Sequence, residues 1–162
     1  MSCSAAVPEL WTLGDVSTLK HTSMKKIPES DNALALRTDF SDETGWSEIC
    51  TAIQEPSGEL GFTANVDFVS NREFDGITAE QLLSVLAEDS HRTFAFIIDH
   101  ATLSQPDHPI LVVDLFEEPG RTFRVIPSEM WSVENNLSIA NMDFSEFADA
   151  AGSDGVFRGF PV

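Results

Sequence analysis

The sequence predicts a single α/β domain around a five-stranded mixed sheet, with its elements in the order β-α-β-α-β-β-β-α-α. Short apolar runs bounded by polar residues indicate buried strands, and stretches with apolar residues at i, i+3 and i+4 indicate amphipathic helices. A proline-glycine turn between the last two apolar runs indicates a hairpin. Strands that alternate with helices favour a layered fold in which helices cover the faces of one sheet.

The first half of the domain is predicted to alternate strands and helices. Residues 33–38 are predicted to form a short buried strand, and residues 62–68 alternate apolar and polar side chains, which is the period of a half-buried strand. The segment between them has apolar residues at helical spacing on one face, namely Trp46, Ile49, Cys50 and Ile53. A capping box of Thr78 and Gln81 then opens a second helix, which we expect to run to about Asp89.

The second half supplies three more strands, two of which form a C-terminal hairpin. Residues 94–98 and 110–116 are continuous apolar runs typical of strands covered on both faces. Residues 118–121 have the sequence Glu-Pro-Gly-Arg, in which proline fixes φ and glycine accepts a positive φ, so they suit a type II turn. We therefore expect residues 110–116 to pair with residues 122–126 in an antiparallel hairpin, which makes the sheet mixed.

Two closing helices and a tail complete the expected organisation. Ser128 can cap the first closing helix, and a capping box of Asp143 and Glu146 opens the second. Residues 1–30 combine serine, threonine, proline and a few apolar residues without a sustained period, so we interpret them as a flexible N-terminal tail. Residues 31–162 form the single acidic α/β domain, whose size supports one hydrophobic core.

Negative charge is concentrated in the predicted domain. The chain has a net charge of −18, and residues 31–162 hold 24 of its 27 acidic residues but only six basic residues, all arginine. Because such a surface repels phosphate backbones and anionic lipids, we expect no nucleic acid and no membrane partner, and a basic protein is the electrostatic complement. We find no secretory signal and no apolar segment of membrane-spanning length, and two cysteines are too few for a disulfide framework. We therefore expect a cytoplasmic protein.

Asp39, Asp99 and His100 are the best candidates for acid–base catalysis. They follow predicted strands, and open α/β sheets bind ligands beyond the carboxyl ends of their strands. If the first and third strands are parallel neighbours, two carboxylates and an imidazole converge there, and such a cluster could hold a divalent cation or perform acid–base chemistry. The alternative is that both aspartates bond to backbone N–H groups in the turns that follow. His91 and His108 are spaced from His100 in no standard ligand pattern, and no cofactor motif is present, so we predict neither a metal nor a cofactor.

Asp114 lies inside the predicted fourth strand, where a charged side chain is unusual. A carboxylate in an apolar run must be paired or face solvent. Arg121 and Arg124 follow across the predicted hairpin, and cross-strand neighbours of opposite charge attract each other. We therefore expect Asp114 to form an ion pair with one of these arginines.

Residues 131–144 are the most distinctive part of the sequence. They place amides and acids among well-spaced apolar residues, and the candidates for partner binding are Trp131, Glu134, Asn135, Asn136 and Asn141. One interpretation is helix capping, in which Asn135 or Asn136 ends a helix in the left-handed conformation. The other is a recognition surface, with Trp131 as an aromatic anchor and the surplus amides bonded to a partner.

Four stretches carry a resemblance to a known family: LALRTDF (34–40), PILVVDL (109–115), RTFRVIPS (121–128) and WSVENNLSIANMDF (131–144). Over about residues 27–160 the chain resembles an uncharacterised family of small acidic actinobacterial proteins, a domain of unknown function. The resemblance implies no activity, so no catalytic residue is carried over from it. The two closing helices are also loosely similar to those of bacterial immunity proteins, which neutralise toxins.

Together these observations favour a non-enzymatic protein-binding module. An immunity-type protein that masks a basic partner, such as a nuclease toxin, is the form that we expect. The charge, the missing catalytic motifs and residues 131–144 motivate this expectation. The alternative is a small tailoring or hydrolytic enzyme that uses Asp39, Asp99 and His100 at the carboxyl edge of the sheet.

Overall fold

The structure, a computed structural model, describes residues 29–86 and 91–162. Most of the predicted tail and the expected end of the second helix near Asp89 lie outside the described residues. In chain order the elements are β1 (Ala33–Arg37), α1 (Glu43–Gln54), β2 (Val66–Val69), α2 (Ala79–Leu86), β3 (Phe94–Ile98), α3 (His100–Ser104), β4 (Ile110–Asp114), β5 (Thr122–Val125), α4 (Met130–Ser138), α5 (Phe144–Ala150) and β6 (Val156–Phe157). Short 3-10 turns lie at Arg72–Phe74 and Pro127–Glu129. None of the described helices has the length and apolar character needed to cross a membrane.

The strands form one six-stranded sheet in the order β2-β1-β3-β4-β5-β6. β1 runs parallel to β2 and β3, β4 runs antiparallel to β3 and β5, and β6 runs parallel to β5. The mixed α/β class and the hairpin of β4 and β5 are therefore confirmed. In the hairpin turn the Arg121 N–H donates to the Glu118 carbonyl at 2.9 Å, and Gly120 has φ 95, as a type II turn requires.

The prediction of five strands was wrong, because β6 is a sixth strand. β6 consists of Val156 and Phe157 alone, which is too short for its sequence to show a period. Both side chains are buried, and Phe157 packs edge-on against Phe147 of α5 with ring centres 5.2 Å apart. β6 therefore depends on pairing with β5 and packing against α5. Helix α3 was missed as well, since it has only five residues.

Helices cover both faces of the sheet. Along β1, Ala33 and Ala35 pack into the core beneath α1, α4 and α5, whereas Leu34 and Leu36 pack into a second core beneath α2. All five residues of β1 and of β3 are buried. Burial of both faces explains why the central strands are continuous apolar runs in the sequence rather than alternating ones.

Side-chain caps open most of the predicted helices. The Thr78 N–H donates to the Gln81 side chain at 3.0 Å, and the Gln81 N–H donates to the Thr78 hydroxyl at 3.2 Å, as the predicted capping box requires. The box that opens α5 is present too. The predicted cap at Ser128 was wrong, because Ser128 lies within the Pro127–Glu129 turn and no side chain caps α4. Proline starts this turn, and the chain enters α4 directly from it.

Candidate functional site

The carboxyl ends of β1 and β3 lie side by side. The two strands are parallel neighbours, and Arg37 at the end of β1 pairs with Ile98 at the end of β3. Asp39 and Asp99 therefore follow at the same edge of the sheet. After β1 the chain connects to β2 on one side of this pair of strands, and after β3 it connects to β4 on the other side. Open α/β sheets bind ligands where neighbouring connections diverge in this way.

Asp39 and His100 contact each other at this edge. His100 Nδ1 lies 2.8 Å from Asp39 Oδ2, and Asp39 Oδ1 accepts the Ser41 N–H at 2.8 Å. Hydrogen bonds from Ser41, together with a weaker effect of His100, lower the pKa of Asp39 although partial burial opposes them. The His100 side chain is 80% exposed. The pair therefore presents an oriented imidazole to solvent.

Asp99 is held by a different set of groups. Its two oxygens accept hydrogen bonds from Arg124 at 3.0 and 2.7 Å, and Oδ1 also accepts the Thr102 N–H at 3.1 Å. Partial burial raises the pKa of Asp99, but the hydrogen bonds from Arg124 and Thr102 outweigh it and hold the pKa below its usual value. The predicted constellation is thus divided into two separate pairs. Across residues 29–86 and 91–162, no three His, Cys, Asp or Glu side chains are grouped where they could hold a metal ion.

The expected ion pair of Asp114 was wrong. Asp114 is 2% exposed, and its carboxylate accepts the backbone N–H groups of the loop that follows β4. The donors are Phe116, Glu117 and Glu118, at 2.9, 3.2 and 2.8 Å. Arg124 pairs with Asp99 instead. Because the chain turns immediately after Asp114, its own loop satisfies the carboxylate.

Helix α4 runs from the carboxyl edge of the sheet to the amino edge and separates the predicted recognition residues. Trp131 lies in its first turn and stacks on Phe62 with ring centres 4.8 Å apart. Glu134 is 3% exposed, and its carboxylate accepts the Asn65 N–H at 3.0 Å and the Ser138 hydroxyl at 2.7 Å. Glu134 therefore joins α4 to the segment before β2, in the interior rather than on a recognition surface.

The three asparagines bond within α4 and the turn that follows it. The Asn135 and Asn136 amides donate to main-chain carbonyls one turn earlier, at 2.9 and 2.8 Å. Asn136 also accepts the Asn141 side-chain amide at 2.7 Å, and its carbonyl accepts the Asn141 N–H at 2.9 Å. The left-handed residue is Ala140, with φ 53, so the expectation of a left-handed Asn135 or Asn136 was wrong. Of the three asparagines, only Asn141 is exposed.

A small groove opens at the amino edge of the sheet, where α4 ends and the hairpin loop begins. This amino-edge groove has a volume of 120 Å³. Its lining residues are Thr93, Phe94, Asp114, Phe116, Glu117, Leu137, Ala140, Met142, Asp143 and Phe144. Phe116 is 71% exposed. Phe116 and Glu117 were not predicted as site residues, because the apolar run of β4 extends to residue 116 in the sequence. The available signal was an aromatic residue followed directly by two glutamates.

The amino-edge groove combines apolar surface with unneutralised negative charge. Desolvation, and then the negative charges of Asp143 and Asp114, raise the pKa of Glu117. Arg121, which lies in the same hairpin, bonds to Glu118 at 3.0 Å. Among the described residues, neither Glu117 nor Asp143 forms an ion pair. A cation entering the groove would therefore relieve a repulsion that is already present.

Comparison with protein families assigns the chain to one family. A family model described as Domain of unknown function (DUF6924) matches residues 32–160. The chain belongs to this family. The match confirms the resemblance to an uncharacterised family, and the DUF6924 description brings no activity or site residue with it. Comparison with curated proteins gave no match.

Proposed function

We propose that this DUF6924 domain is a non-enzymatic protein-binding module for a basic partner, and that the amino-edge groove receives one basic side chain of that partner. The observation that carries the proposal is Phe116, which is 71% exposed beside a carboxyl group whose pKa is raised by neighbouring negative charge. An exposed aromatic ring here lies beside carboxylates that repel one another. Both features become favourable when a cation with an apolar stem covers them.

The size of the amino-edge groove supports a side chain as its occupant. Its volume of 120 Å³ is well below the roughly 300 Å³ at which small-molecule sites begin. Lysine and arginine have aliphatic stems that can pack on Phe116, Leu137 and Met142 while the charged head reaches Glu117 and Asp143. The net charge of −18 steers a basic protein toward the domain and accelerates its association.

An immunity-type role is the specific form that we propose. The module would mask a basic protein in the cytoplasm, such as a nuclease toxin, and would bind neither nucleic acid nor membrane. Asn141, exposed in the turn that follows α4, extends the recognition surface beyond the groove, because its side-chain carbonyl can accept a hydrogen bond from a partner.

A double variant and a matched control test the proposal. Phe116→Ala with Glu117→Gln removes the aromatic ring and the charge from the groove. Glu59→Gln with Leu60→Ala makes the same kind of change in the loop between α1 and β2, where Leu60 is 80% exposed. The tagged protein and both variants are used to capture partners from the native host at low salt, and each bound complex is then washed with rising salt.

We expect the parent protein and the control to retain the same basic protein until high salt releases it, and the groove variant to lose it at low salt. Each captured protein is identified by mass spectrometry, purified and titrated against the three proteins by calorimetry, with an expected loss of about tenfold or more in affinity for the groove variant. Equal affinity of all three proteins, or recovery of no salt-sensitive partner, would contradict the proposal.

A small acid–base enzyme is the second candidate, favoured by the contact of 2.8 Å between Asp39 and His100. The carboxylate orients the imidazole, which is the arrangement that general bases use. Hydrolysis of a panel of chromogenic esters and phosphodiesters tests this candidate. Activity that is lost in Asp39→Asn and in His100→Gln, and kept in His91→Gln, would support it. Absence of turnover above the His100→Gln background would count against it.

A further inference from the structure

A second and larger groove lies at the carboxyl edge of the sheet, at the other end of α4. It is bounded by the end of α1, the loop before β4, the Pro127–Glu129 turn and the first turn of α4. Its volume of 640 Å³ falls within the range of small-molecule sites. The residues that bear on its chemistry are Glu55, Asp107, His108, Glu129, Trp131 and Arg158. We call it the Trp131 groove.

His108 lines the Trp131 groove, and one of its two ring nitrogens is occupied by a backbone contact. Its Nδ1 lies 2.9 Å from the Thr102 carbonyl oxygen, and because a carbonyl can only accept, Nδ1 carries the proton. In the neutral imidazole Nε2 then holds a lone pair. His108 has φ 47, a left-handed conformation that is uncommon for residues other than glycine. The loop thus holds the ring in a defined tautomer at the wall of the groove.

Glu129 adds a second acceptor. Among the described residues its carboxylate has no hydrogen-bond or ion-pair partner, and burial raises its pKa. Gly159 lies directly against the Glu129 carboxylate, because a Cβ at position 159 would come within 3.4 Å of it, and the φ of 101 at Gly159 favours glycine. Arg158 does not neutralise Glu129, because its guanidinium bonds to Asp107 at 3.0 Å and to Asp154 at 2.9 Å.

Trp131 provides an aromatic wall beside these acceptors. Its ring is stacked on Phe62 with an angle of 19° between the two planes, which limits its movement. The π-electron face of an indole attracts cations, and a planar guanidinium stacks on such a face while its N–H groups bond to acceptors at its edge. The Glu129 carboxylate and His108 Nε2 are acceptors of that kind.

We propose that the Trp131 groove binds a free small organic cation with a guanidinium head, which lies against Trp131 and donates hydrogen bonds to Glu129 and His108. A metabolite-sized volume, an aromatic wall and acceptors that outnumber the available donors are together the complement of such a cation. The proposal is independent of the protein-binding function, because it concerns the opposite end of α4.

Calorimetric titration with butylguanidinium at physiological ionic strength tests the proposal, with neutral butylurea as a probe of the same shape. Glu129→Gln removes the charge and keeps the shape. Glu80→Gln is the matched control, since Glu80 is an exposed carboxylate on α2, which covers the other face of the sheet. Circular dichroism checks that both variants are folded. Trp131→Leu is a second variant at the groove, and Glu129→Gln remains decisive if Trp131→Leu fails to fold.

We expect saturable binding of one butylguanidinium per chain, binding weaker by about tenfold or more in Glu129→Gln, and parental affinity in Glu80→Gln. Butylurea should bind neither variant nor the parent protein. The Phe116→Ala and Glu117→Gln double variant should bind butylguanidinium like the parent. Equal affinity in Glu129→Gln and Glu80→Gln, or binding that appears only at low salt, would show a diffuse attraction to the acidic surface and would overturn the proposal.

Discussion

Replacement of Asp114 by asparagine tests how the loop after β4 is held in place. One carboxylate oxygen accepts two backbone N–H groups and the other accepts the Glu118 N–H at 2.8 Å. Asparagine can keep an oxygen for the first two donors, but its NH₂ group then faces the Glu118 N–H, donor against donor. The variant therefore loses one charged hydrogen bond and weakens the other two.

The size of the effect follows from the strength of these bonds. A hydrogen bond to a charged group contributes about 1.5–3 kcal/mol, and a neutral one about 1 kcal/mol. An amide costs less to bury than a carboxylate, which offsets part of the loss. We therefore expect Asp114→Asn to lower the free energy of unfolding by about 3 kcal/mol. In a domain of this size that corresponds to a fall of roughly 6–12 °C in Tm.

Urea and thermal unfolding, followed by circular dichroism at low and high salt, measure this difference. Asp75→Asn is the matched control, because Asp75 is exposed, so an amide there should change stability by no more than about 0.5 kcal/mol. The Asp114 effect should not depend on salt, since its donors are backbone groups. A loss of stability under 1 kcal/mol would refute the hydrogen-bond account. A loss that high salt abolishes would indicate that Asp114 forms an ion pair with an arginine instead.

Three further predictions concern single side chains. Asn136→Ala should lower the free energy of unfolding by about 1 kcal/mol, because the side chain loses its hydrogen bonds to the Ser132 carbonyl and the Asn141 amide, and it should leave partner affinity unchanged. An unchanged Tm with lost binding would make Asn136 a recognition residue. Burial raises the pKa of Cys50 to about 11, so iodoacetamide should label Cys50 far more slowly in the native than in the unfolded protein, as peptide mass spectrometry would show. Because the pKa of Glu117 is raised in the fold, its ionisation destabilises the folded state as pH rises. Glu117→Gln should therefore match or exceed the Tm of the parent at neutral pH, and the difference should vanish below about pH 4, where the glutamate is protonated in both states.

The sequence predicts those parts of the fold that depend on local pattern. β3 is a continuous apolar run, β1 is apolar up to Arg37, and the capping box of Thr78 and Gln81 places the start of α2 correctly. β6 could not be predicted in this way, because two residues show no periodic pattern. They form a strand through pairing with β5 and packing against Phe147. Asp114 ends β4 before the predicted boundary, since its bonds to the following N–H groups fold those residues into a loop instead of extending the strand.

Of the candidate sites, one could be predicted from the sequence and one could not. The meeting of Asp39 and His100 could be predicted, because it needs only two parallel neighbouring strands that end in these residues. The amino-edge groove could not, because the end of α4 and the hairpin loop come together only in the folded sheet. Residues 131–144 do contain more amides than helix capping needs, but most of these amides form hydrogen bonds within α4 and the turn that follows it.

Carboxylates that look similar in the sequence have different places in the fold, and the difference indicates where function lies. The interior acids Asp114 and Glu134 and the half-buried Asp99 each accept two or more hydrogen bonds, so their positions follow from the architecture. Glu117 and Glu129 have no such donors among the described residues, and the pKa of each is raised. Each lines a groove at one end of α4. Since a carboxylate whose pKa is raised by its surroundings is stabilised when a cation arrives, these two glutamates lie at the two surfaces where we propose that positively charged ligands bind.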